Sequence, residues 1–303
     1  RHLYILIGQD MLPGTDLVCL SFNDKCAAGH QQVSIRQIEW IPLLDSQCSS
    51  DYPSLTSLES SLRILVTNSS TSLSQSVATA LSSQHKVTLT DRLNTTTGPA
   101  GLEYFHNELD HDHSTTQLVR NMDVIVHSGE PNPDDTVSKQ LDGTMRCTYN
   151  LLWAATEARV PRIIYLSSMS IMSGYSEDLT VTETWRPKPG TKTRAICYHL
   201  GEYVCREFGR AGSLDVICLR LGDIVADGED NTSTSVLYTK DAIEAVQKTL
   251  AFIGGEKEPA SGQPVRRPSW SVFHIQSAVP NARYIYKAAR EVLGYEPAAR
   301  ISG

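Results

Sequence analysis

The chain has 303 residues, 40% of them hydrophobic and 20% charged, with 27 Lys and Arg against 34 Asp and Glu for a formal charge of -7. That is enough chain for one sizeable α/β core with an appendage, at the composition of an ordinary globular protein. The acidic balance offers no electrostatic footprint for nucleic acid or an anionic membrane, and no apolar run approaches the ~20 residues that span a bilayer.

Residues 1–45 read as short strands at Leu3–Ile7, Asp16–Phe22 and Gln32–Leu44, the last with a one-residue slip in its alternation that suggests a bulge. Leu3–Ile7 is too short for the apolar core of a signal peptide. Asp45–Leu62, rich in Ser, Asp and Pro, reads as a linker. Arg63–Thr67 is a compact apolar run of the kind that forms a buried parallel strand. A helix at Leu73–Ser82, strands at Lys86–Thr90 and Met122–His127, a helix at Ser138–Ala158, a strand at Arg162–Ser167, a helix at Cys197–Gly209 and a strand at Asp215–Leu221 follow. Strands alternating with helices predict βαβ units and a Rossmann-like, doubly wound parallel sheet. Beyond Ala226 the pattern turns irregular, with helices predicted at Lys240–Phe252 and Asn281–Leu293. The expected organisation is a strand-rich N-terminal extension and linker over 1–62, a Rossmann-like domain over 63–225 and a small C-terminal cap over 226–303.

Seven cysteines without CxxC spacing read as reduced thiols, which fits a cytoplasmic setting. His106–His113 gathers three imidazoles and three carboxylates, a set able to ligate a metal. It reads more simply as a solvated polar connection, and no metal site is expected. Lys188–Arg194, the one basic run, reads as a loop before a helix. No Gly-x-Ser-x-Gly elbow supports a hydrolase.

A series of segments, in the right order over roughly residues 63–297, resembles the extended short-chain dehydrogenases, the NAD-dependent epimerase/dehydratase family. Arg63–Ser74 resembles its first strand and phosphate loop, Val87–Arg92 its second strand, and Met122–Glu130 its fourth. Tyr149–Gly174 resembles the helix and fifth strand that lead into the active site. Gly201–Phe208 and Leu214–Val225 resemble the later catalytic helix and the sixth strand, and Leu293–Pro297 the tail. The short stretch from Val225 to Lys240 implies a reduced substrate-covering part, as in the compact sugar-acid dehydrogenase-like branch.

What the resemblance implies about the cofactor can be set against the residues present. The family writes Gly-x-x-Gly-x-x-Gly so that the backbone can turn tightly and approach a pyrophosphate at a helix N-terminus. Here those positions hold Asn68, Thr71 and Ser74. Asn tolerates a left-handed backbone, whereas a left-handed, β-branched Thr71 would cost about 1–2 kcal/mol before any clash with a ligand. Asp91 falls where the family hydrogen-bonds the adenosine ribose, and equally suits a cap on the next turn. His127 and Ser128 fall where the family lines the cofactor pocket. NAD(P) is therefore expected to be absent or weakly bound.

The catalytic positions are also replaced. The family uses Tyr-x-x-x-Lys, one helical turn apart, so that the lysine cation lowers the phenol's pKa. Aligned on Gly201–Phe208, these positions hold Arg194 and Tyr198. Arg194 cannot release a proton at working pH, and Tyr198 supplies no cation. Taking Tyr198 as the acid instead places Glu202 one turn on, and a carboxylate raises a phenol's pKa. The Ser or Thr expected after the fifth strand falls on Met169, flanked by Ser168 and Ser170. No catalytic residue is therefore assigned. The expected protein is a catalytically degenerate member acting as a structural or binding subunit, in a homo-oligomer or a larger complex. Its N-terminal extension would dock on its own sheet domain or on a neighbouring chain. The alternatives are an NAD(P)-dependent sugar or sugar-nucleotide oxidoreductase or epimerase with unconventional residues, and a dinucleotide-sensing regulator.

Overall fold

A computed structural model describes residues 2–5, 18–21, 61–94, 99, 101–229, 233–252 and 270–298. The chain divides into two compact units, Arg1–Tyr52 and Pro53–Gly303. In the first, β1 (His2–Ile5) pairs antiparallel with β2 (Val18–Ser21); β1 overlaps the expected strand Leu3–Ile7 and β2 lies inside Asp16–Phe22. The expected strand Gln32–Leu44 and most of the linker lie outside the described residues.

The second unit is built on a seven-stranded sheet. Its strands are β3 (Arg63–Val66), β4 (Lys86–Asp91), β5 (Glu103–His106), β6 (Val124–Ser128), β7 (Arg162–Ser168), β8 (Asp215–Leu221) and β11 (Trp270–Ile275). Their order is β11-β8-β7-β6-β3-β4-β5, and every pairing is parallel. The order reverses at β3, which lies between β4 and β6, and that reversal opens a crevice beyond the strands' C-terminal ends. Strands β3, β6, β7 and β8 are near-continuous apolar runs because helices cover both of their faces.

On one face α1 (Ser72–Leu81) and α5 (Thr239–Ala251) pack over Ile64, Val66, Leu89, Ile164 and Leu219. On the other, α2 (His113–Val119), α3 (Val137–Glu157) and α4 (Thr193–Ala211) cover Leu65, Ile125, Ile163 and Val216. A short parallel pair, β9 (Asp223–Val225) with β10 (Val236–Tyr238), stands apart from the main sheet. Residues 226–303, read from sequence as a cap, thus contribute α5 and the edge strand β11 to the sheet layers themselves.

Two sequence expectations need correction. The helix expected at Asn281–Leu293 is reduced to a π-helical turn at Ala289–Leu293. Upstream of that turn the backbone is recruited elsewhere: Val181 N–H donates to Arg283 O at 3.0 Å, and Ile285 N–H donates to Val181 O at 3.1 Å. Asn281 is left-handed at φ 55°, which no helix interior accepts. Helix α4 also begins at Thr193, a full turn before the expected Cys197, so Arg194 and Tyr198 both sit in its opening turns.

Tyr165 locks three elements together. It is fully buried on β7, and its hydroxyl lies between Gly129, just after β6, and Gly201 of α4. A Cβ at Gly129 would come within 2.0 Å of that oxygen, and one at Gly201 within 2.1 Å. Gly201→Ala is expected to destabilise the protein by about 1–3 kcal/mol through overpacking. Because the nearest ring carbon lies 3.0 Å from the Gly201 Cβ position, Tyr165→Phe should recover most of that loss. Urea unfolding of the two single variants and the double variant measures the coupling; additive losses would refute the contact.

Candidate functional site

The loop between β3 and α1 keeps the path of a tight turn without its glycines. Asn68 is left-handed at φ 49°, as its residue type allows. Its Nδ2 donates to Ser128 O at 3.0 Å and to Glu130 O at 2.9 Å, tying the loop to the end of β6. Thr71 corrects the sequence expectation: its backbone is extended, at φ -78° and ψ 143°, so no left-handed strain arises there. It serves as the N-cap of α1, its Oγ1 accepting from Ser74 N at 3.3 Å and donating to Asn68 O at 3.1 Å. Ser74 is buried, and its hydroxyl has no hydrogen-bond partner among the described residues.

Asp91 ends β4 and is buried. Its Oδ2 accepts from Ser70 N at 2.7 Å and its Oδ1 from Leu93 N at 2.8 Å. The carboxylate therefore holds the β3–α1 loop with one oxygen and turns the chain after β4 with the other. His127 lies inside the protein between β3 and α3. Its Nδ1 is 2.8 Å from Thr67 Oγ1, its Nε2 is 2.9 Å from Thr148 Oγ1, and its ring packs on Tyr165. Burial pushes its pKa down to about 4, so the ring is neutral.

Across the crevice, Arg194 reaches from α4 to Glu130 at 2.7 Å. Its guanidinium stands 5.6 Å above the Tyr198 ring and 3.5 Å from the phenol oxygen. Burial, followed by the Glu130 carboxylate, raises the pKa of Tyr198 above the ordinary phenol value. Glu202, which sequence spacing offered as the charge acting on Tyr198, is engaged elsewhere. It meets Arg220 of β8 in a buried ion pair, with Nε 3.2 Å from both carboxylate oxygens, and accepts from Ser167 Oγ at 3.0 Å. Ser167, Arg220 and His274 form one rung across β7, β8 and β11. Burial and then the Arg220 cation push the pKa of His274 down to about 3.

Met169 opens a single 3-10 turn, Met169–Met172, and packs with Ile171, Val181, Tyr198 and Tyr284. Ser168 Oγ caps that turn, accepting from Ser170 N at 3.1 Å, whereas Ser170 Oγ has no hydrogen-bond partner among the described residues. The ion pairs of Glu130 and Glu202 were not assigned from sequence. A signal for the second exists, an arginine inside the apolar run Asp215–Leu221, which demands a buried carboxylate. The imidazoles of His106–His113 are dispersed, His106 bonding Arg92 O, His111 against Trp153 and His113 bonding Gln117. Among the described residues no group of three or more His, Cys, Asp or Glu side chains is placed to hold a metal ion, and no helix is long and apolar enough to cross a membrane.

A parallel sheet covered on both faces, with its crevice at the strand reversal and a loop-to-helix turn at the first strand, defines a Rossmann-type α/β protein. The chain belongs to the NAD dependent epimerase/dehydratase family, whose model matches residues 73–266. No curated protein matches its sequence. Among solved structures, it is similar to a uronate dehydrogenase mutant from Agrobacterium tumefaciens complexed with NAD, with 19% identity, a TM-score of 0.66 and coverage of 79% of this chain and 86% of that one. A glucuronic acid dehydrogenase from Chromohalobacter salexigens is 18% identical with a TM-score of 0.64, over 78% of this chain and 85% of that one. A UDP-galactose 4-epimerase is 16% identical with a TM-score of 0.62, over 78% and 94%. At these identities the likeness is one of fold.

The buried histidines make stability depend on pH. An unfolded histidine titrates near 6.5 and His127 near 4 in the fold, so between those values the unfolded chain binds more protons. Stability from this residue is thus complete above the unfolded value and falls as pH drops towards 4. Between pH 7 and pH 5 the loss should be about 2 kcal/mol for His127, with a similar loss from His274. Urea unfolding at both pH values checks this, and His127→Gln should shrink the difference by its share. An unchanged pH dependence in that variant would refute the assignment.

Proposed function

We propose that this chain binds rather than turns over: a family member without redox chemistry of its own, acting as a structural or binding subunit of a homo-oligomer or larger complex. The observation that carries the reading is the Arg194–Glu130 ion pair lying across Tyr198. A guanidinium passes no proton at working pH, and Tyr198 is a buried phenol beside a carboxylate rather than a lysine. Met169 stands where a hydroxyl would hold a substrate oxygen, and a thioether donates no hydrogen bond.

The loop residues fit the turn of a dinucleotide site better than its contacts. Asp91 spends both oxygens on backbone N–H groups, Thr71 occupies the Ser74 N–H, and both ring nitrogens of His127 are bonded inside the protein. Asn68, Thr71, Ser74, Asp91 and His127 are accordingly read as residues that hold the loop and its surroundings, with at most weak contact to NAD(P). The expected dissociation constant lies above about 1 mM, equivalent to about -4 kcal/mol or weaker. Support for a subunit role comes from α3, where Met145, Tyr149 and Trp153 follow at four-residue spacing along one stripe. Met145 is 46% and Trp153 40% exposed, and Tyr149 packs on Phe208 of α4. An exposed apolar stripe of this kind favours self-association.

A second reading, a regulator that binds a dinucleotide without turning it over, is favoured by Asn68. Its left-handed backbone and its two hydrogen bonds to the end of β6 preserve the turn. One set of measurements separates the readings. The full chain is mixed with NAD or NADP and a panel of uronates, aldoses and UDP-sugars, and reduced nicotinamide is followed. NAD is titrated calorimetrically and mass is measured by light scattering. No turnover, weak binding and a mass of a dimer or more are expected. Micromolar NAD binding without turnover would favour the sensor, turnover would make the chain an oxidoreductase with unconventional residues, and a monomer would overturn the subunit role.

A further inference from the structure

A groove of about 560 Å³ lies between the outer strands β4 and β5 and helix α2. It exists because α2 has seven residues and cannot cover the width of the sheet. Leu118 and Val119 of α2 are buried against the inner strands, while Gln117 and Arg120 stay outside. Strand β4 alternates accordingly, Val87 and Leu89 facing the α1 layer and Lys86 and Thr88 facing the groove. Arg63 and Lys86, at the starts of β3 and β4, place one end of the groove opposite the loop that follows β3, and from there it runs along β5 to His106 and Asn107.

The lining reverses the charge of the molecule. In a chain of formal charge -7, this groove is lined by Arg63, Lys86 and Arg120 against one carboxylate, Glu103. Arg63 is held by Asp123 at 2.9 Å. Lys86 and Arg120 are exposed and form no ion pair among the described residues. The same lining carries an apolar surface: the Phe105 ring, 48% exposed on the edge strand, with Leu118 and Met122. Two cations without ion pairs among the described residues and an exposed aromatic ring, lining one concavity within the usual volume of small-molecule sites, define a complementary ligand.

We propose that this groove binds a small organic anion with a flat apolar body, its charge between Lys86 and Arg120 and its body on Phe105, Leu118 and Met122. Its cationic end, at the starts of β3 and β4, lies away from the crevice at the C-terminal ends of those strands, and the proposal does not rest on the reading given to that crevice. Naphthoate, inorganic phosphate and uncharged naphthalenemethanol are titrated calorimetrically into the full chain, and naphthoate is then titrated into Lys86→Glu/Arg120→Glu and Phe105→Ser.

Naphthoate is expected to bind once per chain, and the charge-reversal variant should weaken it by about tenfold or more. Phe105→Ser should weaken naphthoate while leaving the thermal unfolding midpoint in place, because the ring it removes is half exposed. Phosphate and the neutral alcohol should each bind more weakly than naphthoate. No naphthoate binding at millimolar concentration, equal binding by phosphate, unchanged affinity in the charge-reversal variant, or displacement by NAD would each overturn the proposal. Should the charge reversal unfold the chain, Lys86→Gln/Arg120→Gln gives the same comparison with smaller expected losses.

Discussion

Arg220 enters the interior on β8, and its charge is met there by Glu202 from α4, both side chains being almost wholly enclosed. Removing either partner would strand a buried charge, at a cost of about 3–5 kcal/mol. The pair therefore fixes the register of α4 on the sheet, and the rest of the crevice follows. Two turns upstream of Glu202 the same helix delivers Arg194 to Glu130, with Tyr198 between them. One residue before Glu202, Gly201 meets the Tyr165 hydroxyl. A shift of α4 by a single position would break all of these contacts together.

The opposite wall is organised by hydrogen bonds to backbone groups. Asn68 and Asp91 are short polar side chains that complete the turns a glycine loop would make by conformational freedom alone. Such bonds rigidify the loop, but they consume donors and acceptors that would otherwise face the crevice. Loop order and ligand contact thus draw on the same atoms.

The central sheet is legible in the sequence because β3, β6, β7 and β8 are buried on both faces and read as apolar runs between helical periods. The edge is not. β5 reads Glu-Tyr-Phe-His and is mostly exposed, so nothing in its pattern distinguishes it from a polar loop. The Asn281–Leu293 segment misleads because Arg283, Tyr284 and Ile285 are drawn into pairing with Val181, a contact about 100 residues away in sequence. At the site, the spacing of Arg194, Tyr198 and Met169 was readable from sequence, but their partners were not. Thr71 departs from the motif because a glycine position does not impose a left-handed backbone once a hydroxyl residue can cap the helix there.

The packing of Tyr165 also bears on how this sequence can change. Gly129 just after β6, Tyr165 on β7 and Gly201 on α4 share the space around one oxygen atom. A larger residue at either glycine is admissible only after the tyrosine has shortened, and shortening it first leaves a void beside a fully buried strand. Drift through these positions is therefore ordered: each replacement must precede or follow a particular other one. Exposed residues such as Met145 carry no such sequence of events. Within a lineage that diverges freely elsewhere, these three residues should be gained or lost as a set.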